Sequence, residues 1–283
     1  MNNIDLKTIA TDGKARVNEV NINGKNFQTP SFMPVATRGS IKSLPLDYLK
    51  KTDVLLANTY HLFLRPGLDV IKEFDGLHNF IGWDKLILTD SGGFQGWSIP
   101  NKFKEDGIEF KNIYDGSKFF MDPILSMDIQ NTLNSDIAMI LDSLVDIDKD
   151  YDNQLQSINI TKKWAEIARN YHSNEKQSLF GIVQGGKFNE LREKSALDMT
   201  SLDFDGYAIG GLAIGETPTE RKNIVDYTVD MLPEDKLRYV MGLGDIEGML
   251  ELIELGIDIF DCVWPARLAR HGKIINKGKF FNL

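Results

Sequence analysis

Three aspartates each close a short apolar run: Asp90 in LILTD, Asp142 in IAMILD and Asp261 in IDIFD. Taken singly, an aspartate after a strand is ordinarily a helix cap or a turn former. Three of them, with Gln184 between the second and third in chain order, point instead to a shared site. Carboxylates that converge shift one another's pKa and suit acid–base or covalent chemistry. Other runs end in Asn58 and Thr59 and in Gly210 and Gly211, and Ser91 follows Asp90 directly.

Two glycine clusters, DSGGFQ at 90–95 and GGLAIGE at 210–216, lack the spacing of a dinucleotide or phosphate-loop fingerprint. One reading is a pair of tight strand-to-helix turns. The other is backbone brought close to a flat ligand. A planar heterocycle would then stack on Phe94 or Met241 and be read by Asp142, Gln184 and the Gly211–Leu212 backbone. No metal or cofactor is expected. His61, His78, His172 and His271 are scattered, and one cysteine cannot build a thiolate cluster. His61 reads as a packed or capping residue. Cys262 neighbours Asp261 on a strand, so it should point the other way, as a small buried apolar residue.

Side chains so far apart in sequence meet only if their strands lie side by side. Eight short, uniformly apolar runs suit parallel strands buried on both faces: 31–36, 54–58, 86–90, 137–142, 179–183, 206–210, 239–242 and 257–262. Helical patterns at 155–171, 189–200, 219–231 and 246–255 lie between them, the last ending at Gly256. Eight such alternations predict an α/β fold, a (β/α)8 barrel with its active site at the C-terminal strand ends. An open doubly wound sheet is the alternative. A β-hairpin turning at Asn23-Gly24 precedes the barrel, and 107–120 reads as an inserted hairpin turning at Asp115-Gly116. The expectation is one catalytic domain over 1–283. No helical pattern follows the eighth run, so the closing helix is expected to be missing, with another element or a partner subunit in its place or the chain a shortened version of a longer architecture.

The 283 residues include 32 Lys and Arg against 41 Asp and Glu, a net charge of −9. That balance argues weakly against nucleic acid, but its distribution does not. After Asp261 come Arg267, Arg270, Lys273, Lys277 and Lys279 with no acid, a +5 end on a −14 body. Such a run is most often a solvated face. With 42% apolar residues, one cysteine, no long apolar stretch and no signal pattern, a cytoplasmic protein without a membrane span is expected.

Seven motifs in order resemble the tRNA-guanine transglycosylases, the bacterial branch most closely: PSFMPVATRGS at 30–40, NTYHLFLRPG at 58–67, LTDSGGFQ at 88–95, FGIVQGG at 180–186, DGYAIGGLAIGE at 205–216, YVMGLG at 239–244 and FDCVWPARLARHG at 260–272. The resemblance implies a (β/α)8 barrel that removes guanine from the wobble nucleoside of tRNA and inserts a 7-deazaguanine base such as preQ1, without ATP. By the same resemblance Asp261 would be the nucleophile at ribose C1′ and Asp90 the general acid and base. Asp142, Gln184, Gly211 and Leu212 would hold the base between Phe94 and Met241, with Ser91 and Asn58 in the same pocket. Arg267 and Arg270 would grip neighbouring bases. The chemistry is coherent: a carboxylate stabilises an oxocarbenium-like state and can bond to the sugar, a second handles the proton, and the target base is flipped out.

This sequence departs from the family pattern in two places. Within these 283 residues no Cys-x-Cys-x2-Cys…His pattern occurs, so the family's zinc subdomain is not expected here, and Asp142-Ser143-Leu144 stands where Asp-Glu-Cys is usual. Ala266 also stands where threonine is common. Two alternatives follow from the resemblance: 7-deazaguanine insertion into DNA by a paralogue, and a non-catalytic subunit that scaffolds a catalytic homologue; a homodimer or a partner subunit is the expected assembly. The carboxylates alone also fit a glycosidase.

Overall fold

The computed structural model describes residues 3–99, 101–276 and 279–282; Lys277 of the basic segment lies outside them. The eight barrel strands are Ser31–Pro34, Val54–Ala57, Leu86–Thr89, Ile137–Met139, Ser178–Val183, Gly206–Ile209, Leu237–Val240 and Ile259–Cys262. All pair in parallel, each with its neighbour in chain order, and the eighth pairs with the first. A bridge between Val35 and Leu56, with the Ala36 N–H donating to the Leu56 carbonyl at 2.6 Å, joins the first strand to the second. The ring therefore closes, which disposes of the open doubly wound alternative.

Burial explains why these strands read as continuous apolar runs. Six of the eight are buried along their whole length, and Met33, Leu88, Ile182, Tyr239 and Phe260 are almost fully enclosed. Each such side chain contributes about 1.5–3 kcal/mol relative to exposure. The helices Tyr151–Tyr171, Asn189–Thr200, Pro218–Val229 and Ile246–Ile253 lie close to the expected segments. The first of them begins four residues before 155, because Asp150 caps it by accepting from the Asn153 N–H.

The N-terminal hairpin is part of a three-stranded antiparallel sheet, Ile4–Asp12, Ala15–Ile22 and Lys25–Thr29, turning at Asn23-Gly24 with both φ angles positive. Its Val20, Ile22 and Phe27 join the barrel core. Arg16 locks it to the N-terminal ends of the strands. Its Nε and Nη2 donate to Asp258 at 2.9 and 2.6 Å, and Asn18 Nδ2 and the Arg238 N–H each add a bond at 2.8 Å.

The inserted hairpin also gains a strand, giving Lys102–Lys104, Gly107–Lys111 and Lys118–Met121. Its Phe110 and Phe119 rings stack at 5.3 Å, and Trp164 Nε1 donates to the Glu105 carbonyl at 2.9 Å. After the eighth strand, where the sequence shows no helical pattern, the structure has the short helix Trp264–Arg270. None of its residues is buried, so no apolar periodicity marks it. A hairpin of Lys273–Asn276 and Lys279–Asn282 follows.

Candidate active site

The C-terminal strand ends surround a cavity of about 350 Å³, within the size range of small-ligand sites. Asn58, Asp90, Ser91, Phe94, Asp142, Gln184, Gly211, Leu212, Met241, Asp261 and Arg267 all line it. Arg270, one helical turn beyond Arg267, is exposed and outside the lining. A separate groove of about 400 Å³ beside Glu105 and the helix Tyr151–Tyr171 contains none of these residues.

Asp261 is the penultimate residue of the eighth strand and is only 9% exposed. Its Oδ1 accepts from the Tyr239 hydroxyl at 2.5 Å and from the Gly242 N–H at 2.8 Å. Both donors use the same oxygen, and among the described residues none donates to Oδ2, which is the free face of the carboxylate. Burial raises the pKa of this carboxyl, and the two donors pull it back. Two donors on one oxygen fix the orientation of the group without neutralising it.

Asp90 sits just past the third strand. Its Oδ1 accepts from the Thr59 N–H at 2.9 Å, and Asn58 Nδ2 donates to its Oδ2. Asn58 is also the cap of the helix Thr59–Leu64, accepting from the His61 N–H at 2.9 Å, so one side chain orders both the helix and the carboxylate. Burial pushes Asp90 up to about 7, and the charge of Asp261 adds to the rise against the Thr59 and Gly92 N–H groups. A carboxyl tuned to neutrality can both give and take a proton.

Asp142 is buried, with Ser91 Oγ on Oδ1 at 2.9 Å and Gln184 Nε2 on Oδ2 at 2.7 Å. Burial raises its pKa, while Ser91 and Gln184 oppose the rise. Each cluster contains a glycine that leaves no room for a side chain. A Cβ on Gly93 would lie 2.2 Å from Asp142 Oδ1. One on Gly211, at φ +69°, would lie 2.7 Å from Gln184 Oε1. Phe94, half-exposed, and Met241 stand among this lining as apolar surfaces for a flat ring.

Sequence reasoning missed two supporting residues. Tyr239 reads as an ordinary buried aromatic; only the strand register turns its hydroxyl onto Asp261. Arg192 lies on the helix Asn189–Thr200, fully buried, and donates to the carbonyls of Gly186 (2.9 Å), Val183 (3.1 Å) and Gly210 (2.8 Å). It thereby ties together the strand ends that carry Gln184 and Gly211. Burial lowers its pKa to about 9. An arginine in a helix of mixed polarity reads as solvated, so nothing in the sequence flags it.

One expectation needs correction. Cys262 is half-buried and lines the cavity beside Asp261 rather than facing away from it. The strand ends at Cys262 and Val263 is already helical, so strict alternation fails there. His61 reads correctly as a packed residue, its ring edge-on to Tyr60 at 5.3 Å, and it also belongs to the cavity lining; its backbone N–H donates to the capping Asn58 side chain. Among the described residues, no group of three or more His, Cys, Asp or Glu side chains could hold a metal ion, and no helix is long and apolar enough to cross a membrane.

Residues 11–283 match the family model described as queuine tRNA-ribosyltransferase. The chain is 46% identical over 266 residues to the queuine tRNA-ribosyltransferase of Bacillus subtilis strain 168, covering 92% of this chain and 70% of the relative. It is 45% identical over 283 residues to that of Thermotoga maritima, covering 99% and 77%. It is 44% identical over 277 residues to that of Natranaerobius thermophilus, covering 96% and 75%. A closed parallel barrel, three carboxylates around one cavity and a family match over nearly the whole chain agree: this chain belongs to the queuine tRNA-ribosyltransferase family.

Proposed function

We propose that this chain is a pentosyltransferase that exchanges guanine for a preQ1-like 7-deazaguanine base in tRNA, at the wobble position, through a covalent Asp261–ribosyl intermediate. The single observation that carries this reading is the pairing of two unlike carboxyls in one cavity. Asp261 is held by one oxygen with the other free, and Asp90 is tuned to about 7.

In this mechanism the flipped target base slides between Phe94 and Met241. Asp142 and Gln184 take its polar edge, and the Gly211–Leu212 backbone reads the remainder. Asp261 Oδ2 attacks ribose C1′ as the glycosidic bond breaks, and Asp90 delivers a proton to the departing guanine. The incoming base occupies the same slot, loses a proton to Asp90 and attacks C1′ from the face the guanine left, releasing Asp261. Two displacements retain the configuration at C1′. Arg267, at the cavity rim, and Arg270 hold the nucleotides beside the target.

The test is incorporation of labelled guanine, and then of a 7-deazaguanine, into tRNA and into duplex DNA by purified protein. Incorporation into tRNA supports the reading. Incorporation into DNA alone would move the activity to the DNA-modifying alternative. Incorporation into neither would favour the non-catalytic subunit.

A further inference from the structure

The nine arginines divide sharply. Arg16, Arg192, Arg221 and Arg238 are buried, whereas Arg38, Arg65, Arg169, Arg267 and Arg270 are exposed. Among the described residues, none of the five exposed guanidiniums lies within 4 Å of a carboxylate, although the exposed Lys14 and the half-buried Lys162 and Lys163 are paired. Four of these five unneutralised cations follow three adjacent strands at one side of the mouth: Arg267 and Arg270 the eighth, Arg38 the first and Arg65 the second. Arg38 adjoins Thr37 and Arg65 lies one helical turn beyond His61, both residues of the cavity wall.

Arg38 and Arg65 are held on one ring. The Arg65 guanidinium lies 3.8 Å from the centroid of Tyr114, and Arg38 Nη1 donates to the Tyr114 hydroxyl at 3.3 Å. Tyr114 stands at the tip of the inserted sheet, its N–H bonded to Asn112 Oδ1 at 2.9 Å. A stacked, oriented guanidinium has lost much of its side-chain freedom before any ligand arrives. The acid nearest in influence is the exposed Asp115, held low by its own Ser117 hydroxyl and N–H bonds with a lesser contribution from Arg65. The His61 ring is kept low by burial and by Arg38, so it adds no cation near neutrality.

The base-reading residues Asp142, Gln184 and Gly211 follow the fourth, fifth and sixth strands, across the mouth. A nucleotide with its base among them must leave its sugar and phosphates on the side of the eighth, first and second strands. We infer that Arg38 and Arg65, braced by Tyr114, form a phosphate-binding rim that continues the track of Arg267 and carries the substrate backbone away from the cavity. This rests on the nucleic-acid reading above and extends it to residues that the resemblance does not assign.

The test measures binding of a synthetic tRNA anticodon stem–loop at several salt concentrations, for wild type, Arg38→Ala/Arg65→Ala, Tyr114→Ala and Arg169→Ala. Each phosphate contact contributes about 0.7–0.9 to the slope of log K against log salt. The double variant is expected to bind RNA about 10–100-fold more weakly at low salt, with the slope lowered by about 1.4–1.8. Its affinity for free guanine and its melting temperature should stay at wild-type values. Tyr114→Ala should weaken RNA binding in the same direction by a smaller factor. Arg169→Ala, exposed but outside this track, should match wild type. A wild-type RNA affinity and slope in the double variant would overturn the rim while leaving the proposed activity standing. Failure of the wild-type protein to bind RNA would overturn both.

Discussion

Asp258 and Asp261 lie three residues apart around one strand, both buried, yet their surroundings are opposite. Asp258, at the closed end of the barrel, has Arg16 on both oxygens, with Asn18 and the Arg238 N–H completing its shell. Asp261, at the open end, has among the described residues the Tyr239 hydroxyl and the Gly242 N–H alone, both on one oxygen. The same contrast separates Asp136 from Asp90. Burial acts to raise Asp136, but His78, Lys25 and the Ile87 N–H outweigh it and hold the carboxyl below its ordinary value. Burial lifts Asp90 to about 7, and among the described residues no cation pairs with it within 4 Å. A buried carboxylate that is fully partnered holds the fold together. One left short of partners beside a cavity keeps its reactivity, at some expense in stability.

This contrast can be broken most severely at Asp261. Asp261→Asn should keep the fold and the base pocket but lower guanine exchange by about 10³-fold or more, measured as labelled guanine entering tRNA. Asp258→Ala should do the reverse. Leaving Arg16 buried without its partner should remove about 3–5 kcal/mol from denaturant-measured stability, with exchange per folded molecule retained. If Asp258→Ala proved neutral and Asp261→Asn unfolded the protein, the assignment of the two ends would be inverted.

Smaller effects sharpen the same distinction. Asp142→Ala strips the acceptor from Ser91 and Gln184 and should weaken guanine binding by about 1.5–3 kcal/mol in calorimetry. Asp90 supplies the pH dependence. Its raised pKa leaves it protonated below about 7 and ionised above. Single-turnover release of guanine, which needs the proton, should fall about tenfold per pH unit above that point, and should fall on the acid side as well once the Asp261 nucleophile, itself raised by burial, takes up a proton. In Asp90→Asn the fall on the alkaline side should vanish along with most of the rate. Linkage has a defined sign here. A carboxyl whose pKa rises on folding destabilises the folded state increasingly from about pH 4 to about pH 7. The melting temperature of Asp90→Asn minus that of wild type should therefore climb across that window.

The barrel was legible because strands buried on both faces leave uninterrupted apolar runs, and because Asn23-Gly24 and Gly256 punctuate the chain. What escaped was structure without apolar periodicity. The strand Ile4–Asp12 is mostly exposed, the helix Trp264–Arg270 buries nothing, and the first turn of Tyr151–Tyr171 is polar. The site divides in the same way. Asp90, Asp142 and Asp261 interrupt apolar runs and announce themselves. Tyr239 and Arg192 act through register and burial, which a linear pattern does not encode, and the pairing of Arg38 and Arg65 on Tyr114 joins three segments far apart in the chain.

The most direct test of the central claim is to locate the sugar–protein bond. Purified protein is mixed with tRNA and a 7-deazaguanine, denatured during turnover, digested and examined by mass spectrometry. The account predicts a ribosyl adduct on the peptide containing Asp261, absent in Asp261→Asn and still formed, though slowly, in Asp90→Asn. Base exchange that proceeds with no adduct, or with the adduct on another residue, would contradict it.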